Sequence, residues 1–280
     1  MLVTSKEMLL AAQKGGFAFP APNFVDQMSI RSYVEVAEKR KIPMMLCFAE
    51  AHQEYLSLEE AAALGRFYGE KSNLPLVLHL DHGQKLDTII RAIELGFTSV
   101  MIDASTQPLA ENIRLTREVV GYAHQKGVVV EAEIGHVGAG ENYENHAADD
   151  SLYTLPAEAK QFADETEVDS LAVSIGTVHG VYKAAPKIDF EILRQIKEIV
   201  LVPLVLHGGS STGDQNLARC AREGITKINI FTDLMNAAAE EIKKAEFKNY
   251  MEVEKAAQAG MRKCLEHYCE VFGTDKYKTI

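Results

Sequence analysis

PLVLHLDHG (residues 75–83) and PLVLHGG (residues 203–209) are two short apolar runs that each end in histidine followed by glycine. A third run, SLAVSIGTVHG (residues 170–180), ends the same way. Near-continuous hydrophobicity over so few residues predicts strands covered on both faces, as in a parallel sheet. Working outward, eight such runs appear, at 17–24, 43–49, 75–81, 99–103, 128–133, 170–175, 203–207 and 227–231. Amphipathic stretches separate them, including SIRSYVEVAEKRK, LDTIIRAIELG, AENIRLTREVVGYAHQKG and FEILRQIKEIV, several of which close on a glycine stop. Ser57 and Glu60 open the helix SLEEAAALGRFYGEKS with capping-box spacing.

Eight strand–helix units predict an α/β fold, a (β/α)8 TIM barrel. A doubly wound sheet is the alternative, and it would more often carry a dominant Gly-rich phosphate turn early in the chain. No linker or composition shift divides residues 1–280, so a single domain is expected, with one extra C-terminal helix from Met251 to about Gly273. The longest irregular stretch, residues 135–156, reads GHVGAGENYENHAADDSLYTLP and follows the fifth run. Loops this long are commonly functional, and its glycines suit an active-site loop that swings.

The chain has 280 residues, 47% of them hydrophobic, and a formal net charge of -11. That charge argues against nucleic-acid and anionic-membrane partners, which require a basic face. The cysteines Cys47, Cys220, Cys264 and Cys269 have no metal-knuckle spacing; Cys47 reads as a core residue. The opening MLVTSKEMLLAAQKGG carries charges and reads as a capped helix rather than a secretory signal. A soluble cytoplasmic protein is the expectation.

In a barrel, His82, Asp103, Glu133, His179, His207 and Asn229 fall at or just beyond the C-terminal ends of strands three to eight. That rim is where barrel active sites are built. One strand-end histidine is commonly a hydrogen-bonded core residue, but His82, His179 and His207 together suit a catalytic metal, with three protein ligands and an open position. His79, which shares a strand face with Asp81, reads as a core or supporting histidine. Gly208, Gly209 and Ser210 after the seventh run, with Asn229, Ile230, Phe231 and Thr232 ending the eighth, suit a phosphate held by backbone N–H groups. An ordinary Gly-Ser turn is the plainer alternative for the first of these.

The motifs PAPNF (20–24), HLDHG (79–83), MIDAS (101–105), EAEIG (131–135), IGTVHG (175–180), LVLHGGS (204–210) and KINIFT (227–232) together resemble the class II, metal-dependent fructose-bisphosphate aldolase family. The resemblance is to the branch that includes tagatose-bisphosphate aldolases, and it runs from the opening helix to about Phe272. It implies that His82, His179 and His207 hold a catalytic Zn2+, with Asp103 and Glu133 serving an alternative or second divalent metal. A monovalent cation is a further implied cofactor. Asp81 matches the acid/base aspartate, and Glu141, in the long loop, matches a mobile proton-transferring glutamate. Asn23, Gly180, Gly208 to Ser210, and Asn229 to Thr232 match the site for the dihydroxyacetone phosphate half of the substrate. The implied reaction is reversible cleavage of a ketose 1-phosphate or 1,6-bisphosphate, with the metal as electron sink and no Schiff-base lysine. The implied partner is a sugar phosphate, and the implied assembly is a homodimer or homotetramer.

The chain departs from that pattern at several places. Ala49 stands where a serine is common, Ser211 where glycine is usual, and Phe231 where the family has a small or acidic residue. GAGEN replaces GGxED in the loop. FKNY (247–250) replaces a PRxY-type segment whose arginine reaches a distal phosphate, leaving only Lys248 for that part. An aldolase of the same mechanism with an unphosphorylated, deoxy or sulfonated aldehyde half is therefore the second expectation. A metal-dependent hydrolase would usually open with an HxH pair on its first strand, and here the first strand-end histidines come on the third. A non-catalytic relative would be expected to lose acid/base groups such as Asp81 and Glu141 first.

Overall fold

A computed structural model describes residues 1–135, 153–178, 186–244 and 246–279. Its strands are β1 (Phe19–Pro22), β2 (Met44–Ala49), β3 (Leu76–Gly83), β4 (Ser99–Ile102), β5 (Val129–Ile134), β6 (Ser170–Val173), β7 (Leu204–Leu206) and β8 (Ile225–Ile230). All pairings are parallel, and the order is β1-β8-β7-β6-β5-β4-β3-β2. The helices are α1 (Lys6–Gly15), α2 (Gln27–Arg40), α3 (Leu58–Lys71), α4 (Leu86–Leu95), α5 (Leu109–Gln125), α6 (Pro156–Thr166), α7 (Phe190–Ile199), α8 (Asp214–Glu223), α9 (Thr232–Lys243) and α10 (Tyr250–Val271). This is a (β/α)8 barrel with a C-terminal helix, as the alternation of runs and amphipathic segments predicts.

The seam between β1 and β2 has a cause in the sequence. Asn23 N–H donates to Ile230 O (3.4 Å) and Phe24 N–H to Cys47 O (2.9 Å), so successive residues bond to opposite neighbours. By that alternation Pro20 and Pro22 face β2, and proline has no N–H to give. The seam is therefore left with a single bridge, Asn23 to Cys47, and the ring is nearly closed.

Two apolar clusters follow from the period of two along each strand. Outward residues such as Leu46, Leu78, Leu80, Val130, Leu206 and Ile228 pack under the helices in the larger cluster. Inward residues Phe17, Phe19, Met45, Cys47 and Val77 pack on Met8, Leu9 and Ala12 of α1, which plugs the bottom of the barrel. Burying one such aromatic or aliphatic side chain contributes about 1.5–3 kcal/mol. Ser57 and Glu60 form the expected reciprocal capping box on α3. The opening helix differs from expectation: Ser5 makes no capping bond, and its hydroxyl lies 3.5 Å from that of Ser99. The start of α1 is held by its buried face instead of by a side-chain cap, while its end closes on left-handed Gly16, whose N–H donates to Ala12 O.

Candidate active site

Above the apolar plug the inward positions turn polar. β3 presents Val77, then His79, then Asp81; β5 presents Glu131 and Glu133; β8 presents Lys227 and Asn229. All six of these polar side chains are buried, and so is His207, directly after β7. Charge at such depth is tolerated only when it is paired and hydrogen-bonded.

His82 breaks the alternation. Asp81 already faces inward, so its neighbour should point away. Instead the register of β3 against β4 shifts between Leu80 and Gly83, and His82 adopts φ 48°. A bulge of this kind re-aims a side chain, and a left-handed histidine is uncommon enough to mark strain at a site. The result puts adjacent residues Asp81 and His82 into one cluster with His207. Gly83 is needed for the same manoeuvre, since a Cβ there would lie 2.5 Å from Met101 O. Gly208 has φ +68°, and a Cβ there would lie 2.4 Å from Val178 O. These two contacts explain why glycine follows each of these histidines.

Ligand atoms of Asp81, His82 and His207 lie within 4.8 Å of one another, as do those of His82, Asp103 and Glu133. His82 Nδ1 is 2.8 Å from Asp103 Oδ2, and the His82 and His207 rings are 4.5 Å apart. Asp103 Oδ1 accepts from Ser105 N–H (3.2 Å) and Ser105 Oγ (2.6 Å). Neither Asp81 nor Asp103 serves as a cap for the helix after its strand: α4 follows Lys85 and α5 follows Pro108. Imidazole nitrogens with carboxylate oxygens at this spacing fit a divalent metal of the borderline kind. His179, Gly180 and Glu141 lie outside the described residues.

Asp81, on β3, is held across the seam by two amides from the β1 and β8 side. Its Oδ2 accepts from Asn23 Nδ2 and its Oδ1 from Asn229 Nδ2, both at 2.9 Å. Burial opposes its charge, but His82 and Lys227 outweigh that and hold its carboxyl well below the usual range. It is an ionised acceptor at neutral pH. Burial likewise disfavours a charged His207, yet hydrogen bonds to Glu131 and Glu133 push its pKa up to about 10. Burial and the Lys227 ammonium bring buried His79 down to about 4, leaving it neutral, with Nδ1 2.8 Å from Ser99 Oγ.

Further along the same rim, Gly209 N–H donates to Asn229 O (3.1 Å), and Ser210 Oγ accepts from Phe231 N–H (3.2 Å) and Asp233 N–H (3.3 Å). The two predicted turns therefore meet, with Thr232 starting α9 between them. Ile230 is the last residue of β8 and packs outward, in the larger cluster. Ser211, where glycine is usual, sits at φ 61° and is held there by Asp233, which accepts from its N–H (2.8 Å) and Oγ (3.1 Å). Phe231 stacks on His52 with ring centres 4.4 Å apart. His52 lies in a short 3-10 turn after β2 and drew no attention in the sequence. Glu131 and Lys227 each lie two residues before a predicted site residue, and so on the same strand face, within runs whose hydrophobicity hides them.

Fold and site together define a barrel with a candidate divalent-metal centre at the C-terminal ends of its strands. The profile of the family Fructose-bisphosphate aldolase class-II matches residues 3–276, and the chain belongs to that family, one of carbon–carbon lyases. The YdjI aldolase from Escherichia coli K12 is 31% identical, with TM-score 0.89 and 98% of each chain covered. A candidate fructose-1,6-biphosphate aldolase from Coccidioides immitis is 28% identical, with TM-score 0.85 and 98% of each chain covered. The fructose-bisphosphate aldolase of Campylobacter jejuni, 23% identical over 98% of this chain and 96% of its own, has the same fold at TM-score 0.83.

Proposed function

We propose that this chain is a zinc-dependent class II aldolase that reversibly cleaves a ketose 1-phosphate to dihydroxyacetone phosphate and an aldehyde. The observation that carries the reading is the convergence of His82, His207, Asp103 and Glu133 beside the ionised, doubly held carboxylate of Asp81. His82 and His207, with His179, would hold the zinc; Asp103 and Glu133 would offer it an alternative or second position. When bound, the metal supplies a Lewis acid that stabilises negative charge developing on the ketose oxygens.

Asp81 takes the proton of the C4 hydroxyl as the C3–C4 bond breaks and the aldehyde carbonyl forms. The bond's electron pair stays with the three-carbon half, and Glu141 returns a proton to its carbon. Asn23 and Asn229 keep Asp81 aimed and would meet the dihydroxyacetone phosphate half, whose phosphate falls to Gly180, Gly208 to Ser210, and Phe231 to Thr232. A monovalent cation and assembly as a homodimer or homotetramer complete the reading. Among the described residues no helix is long and apolar enough to cross a membrane, and Cys47, Cys220, Cys264 and Cys269 are free, which accords with a reducing cytoplasm.

The aldehyde half is read from the departures. Lys248 is exposed, and Asn249 beside it caps α10 by accepting from Glu252 N–H (3.2 Å). FKNY is thus a helix start, with no bidentate fork for a distal phosphate. Condensing dihydroxyacetone phosphate with a panel of aldehydes tests this. Glyceraldehyde 3-phosphate is expected to lose the advantage of about 10-fold or more that a charge-assisted phosphate contact would give it, so that an unphosphorylated aldehyde matches or exceeds it in kcat/KM. A preference for glyceraldehyde 3-phosphate would restore the bisphosphate substrate, and no condensation with any aldehyde would remove the aldolase reading.

A buried lysine inside an aldolase barrel also invites a Schiff-base reading, in which Lys227 attacks the ketone. Nucleophilic lysines need a lowered pKa. Burial acts in that direction on Lys227, but Glu131 and Asp81 overcome it and raise the value. Borohydride added with dihydroxyacetone phosphate is accordingly expected to leave activity intact. Covalent trapping of substrate on Lys227 would establish the rival mechanism.

A further inference from the structure

The barrel interior holds an ion pair that the chemistry above does not use. Lys227 Nζ donates to Glu131 Oε1 at 2.8 Å, and both side chains are buried. The same Oε1 lies 3.0 Å from His207 Nε2, while Ser170 Oγ approaches Glu131 Oε2 at 3.5 Å. The other ring nitrogen of His207, Nδ1, is 3.0 Å from Glu133 Oε2, on the side of the candidate metal ligands. Thus one imidazole has its two nitrogens committed in opposite directions: Nε2 down to a carboxylate anchored by lysine, Nδ1 up to the site.

We propose that Lys227 and Glu131 are positioning residues that fix the tautomer and aim of His207, so that its Nδ1 presents the lone pair to the metal. The inference rests on the metal reading above. A carboxylate paired with an ammonium can only accept, so Nε2 must carry the hydrogen that points to it. A neutral imidazole with hydrogen on Nε2 has its lone pair on Nδ1 and nowhere else. Metal-binding histidines are commonly oriented by a carboxylate on the second nitrogen, and loss of that partner costs 10–100-fold in metal affinity. Lysine adds what a lone glutamate would lack here. It neutralises the carboxylate in the dry interior and pins Oε1 under the ring, because Nζ and Nε2 converge on one oxygen. Glu131 on β5, His207 after β7 and Lys227 on β8 are thereby joined across the barrel wall.

Removing either charge alone would leave its partner buried without a counterion, so the informative variant changes both. Lys227→Met with Glu131→Gln keeps the volumes and removes both charges, while the glutamine amide can accept from or donate to Nε2. Zinc affinity, measured by competition with a chromogenic chelator, is expected to weaken about 10–100-fold with the melting temperature of the metal-free protein retained. Nitrogen-15 spectra of the zinc-loaded wild-type protein, labelled at histidine, supply a readout that needs no variant. They should show His207 protonated at Nε2 and metal-bound at Nδ1. A folded double variant that binds zinc within twofold of wild type, or wild-type His207 bound through Nε2, would overturn the proposal. A wild-type protein that takes up no zinc at all would overturn the metal reading and this inference with it. Normal zinc uptake with His207 bound through Nε2 would sink this inference alone.

Discussion

Asp81→Asn is expected to lower turnover by about 10²–10⁴-fold, the usual worth of a positioned general base, while zinc content stays at the wild-type level. The substitution is nearly isosteric, so the barrel should keep its shape. What changes is the acceptor. Asp81 now receives an amide N–H on each oxygen, from Asn23 and Asn229 at 2.9 Å, and is an anion at neutral pH. An asparagine there offers one oxygen and one NH2 group, so one of the two amide donors would face another donor. Some loss of stability is therefore expected, on the order of 1–3 kcal/mol for an unsatisfied buried polar group. Single-turnover cleavage and metal analysis on the same preparation separate the outcomes. Near-normal turnover would remove Asp81 from the chemistry. Loss of zinc together with turnover would make it a ligand, which its place in the His82–His207 cluster also permits.

Metal removal is expected to have an effect of comparable size. Lewis-acid stabilisation is worth several kcal/mol, or about 10³-fold in rate. Treatment with a chelator should abolish cleavage, and zinc should restore it in the wild-type protein but not in His207→Ala. Activity that survived thorough metal removal would end the zinc mechanism. The proton balance offers a second check. In the metal-free protein His207 is pushed up to about 10 from an ordinary 6.5. A folded-state value above the unfolded one stabilises the metal-free protein fully below about 6.5, and that contribution fades as pH rises through 10. Zinc must displace this proton, so uptake near pH 7 should release protons and tighten as pH rises. Calorimetry in buffers of different ionisation enthalpy would show it. Buffer-independent heats would mean that His207 enters the site already neutral.

Much of this site can be read from short windows of sequence. His82, Asp103 and His207 lie at strand ends because the apolar runs stop there, and Asp81 and Glu133 follow from an alternation that needs only a few residues to see. The same alternation, carried two residues back, would have found Glu131 and Lys227. They were missed because a near-continuous hydrophobic run invites the assumption that both its faces are apolar. His52 carried no comparable signal, since its contact with Phe231 joins a turn after β2 to the end of β8. His179, Gly180 and Glu141 rest on the sequence resemblance alone.

By itself, then, the sequence determined the barrel, the rim on which the histidines stand, and the family to which the chain belongs. Period and turn chemistry are local, and eight repeats of them leave few other architectures open. Tertiary structure decided how the groups meet. The bulge at His82, with φ 48°, turns a residue that should face away from Asp81 toward the same centre. Ring closure lays Asn23 and Asn229, 58 and 148 positions from Asp81, on its two oxygens. It also sets Lys227 and Glu131, 96 positions apart, beneath His207. Such pairs have no signature in any window, because a parallel barrel brings its strands together only through the helices between them and the final seam.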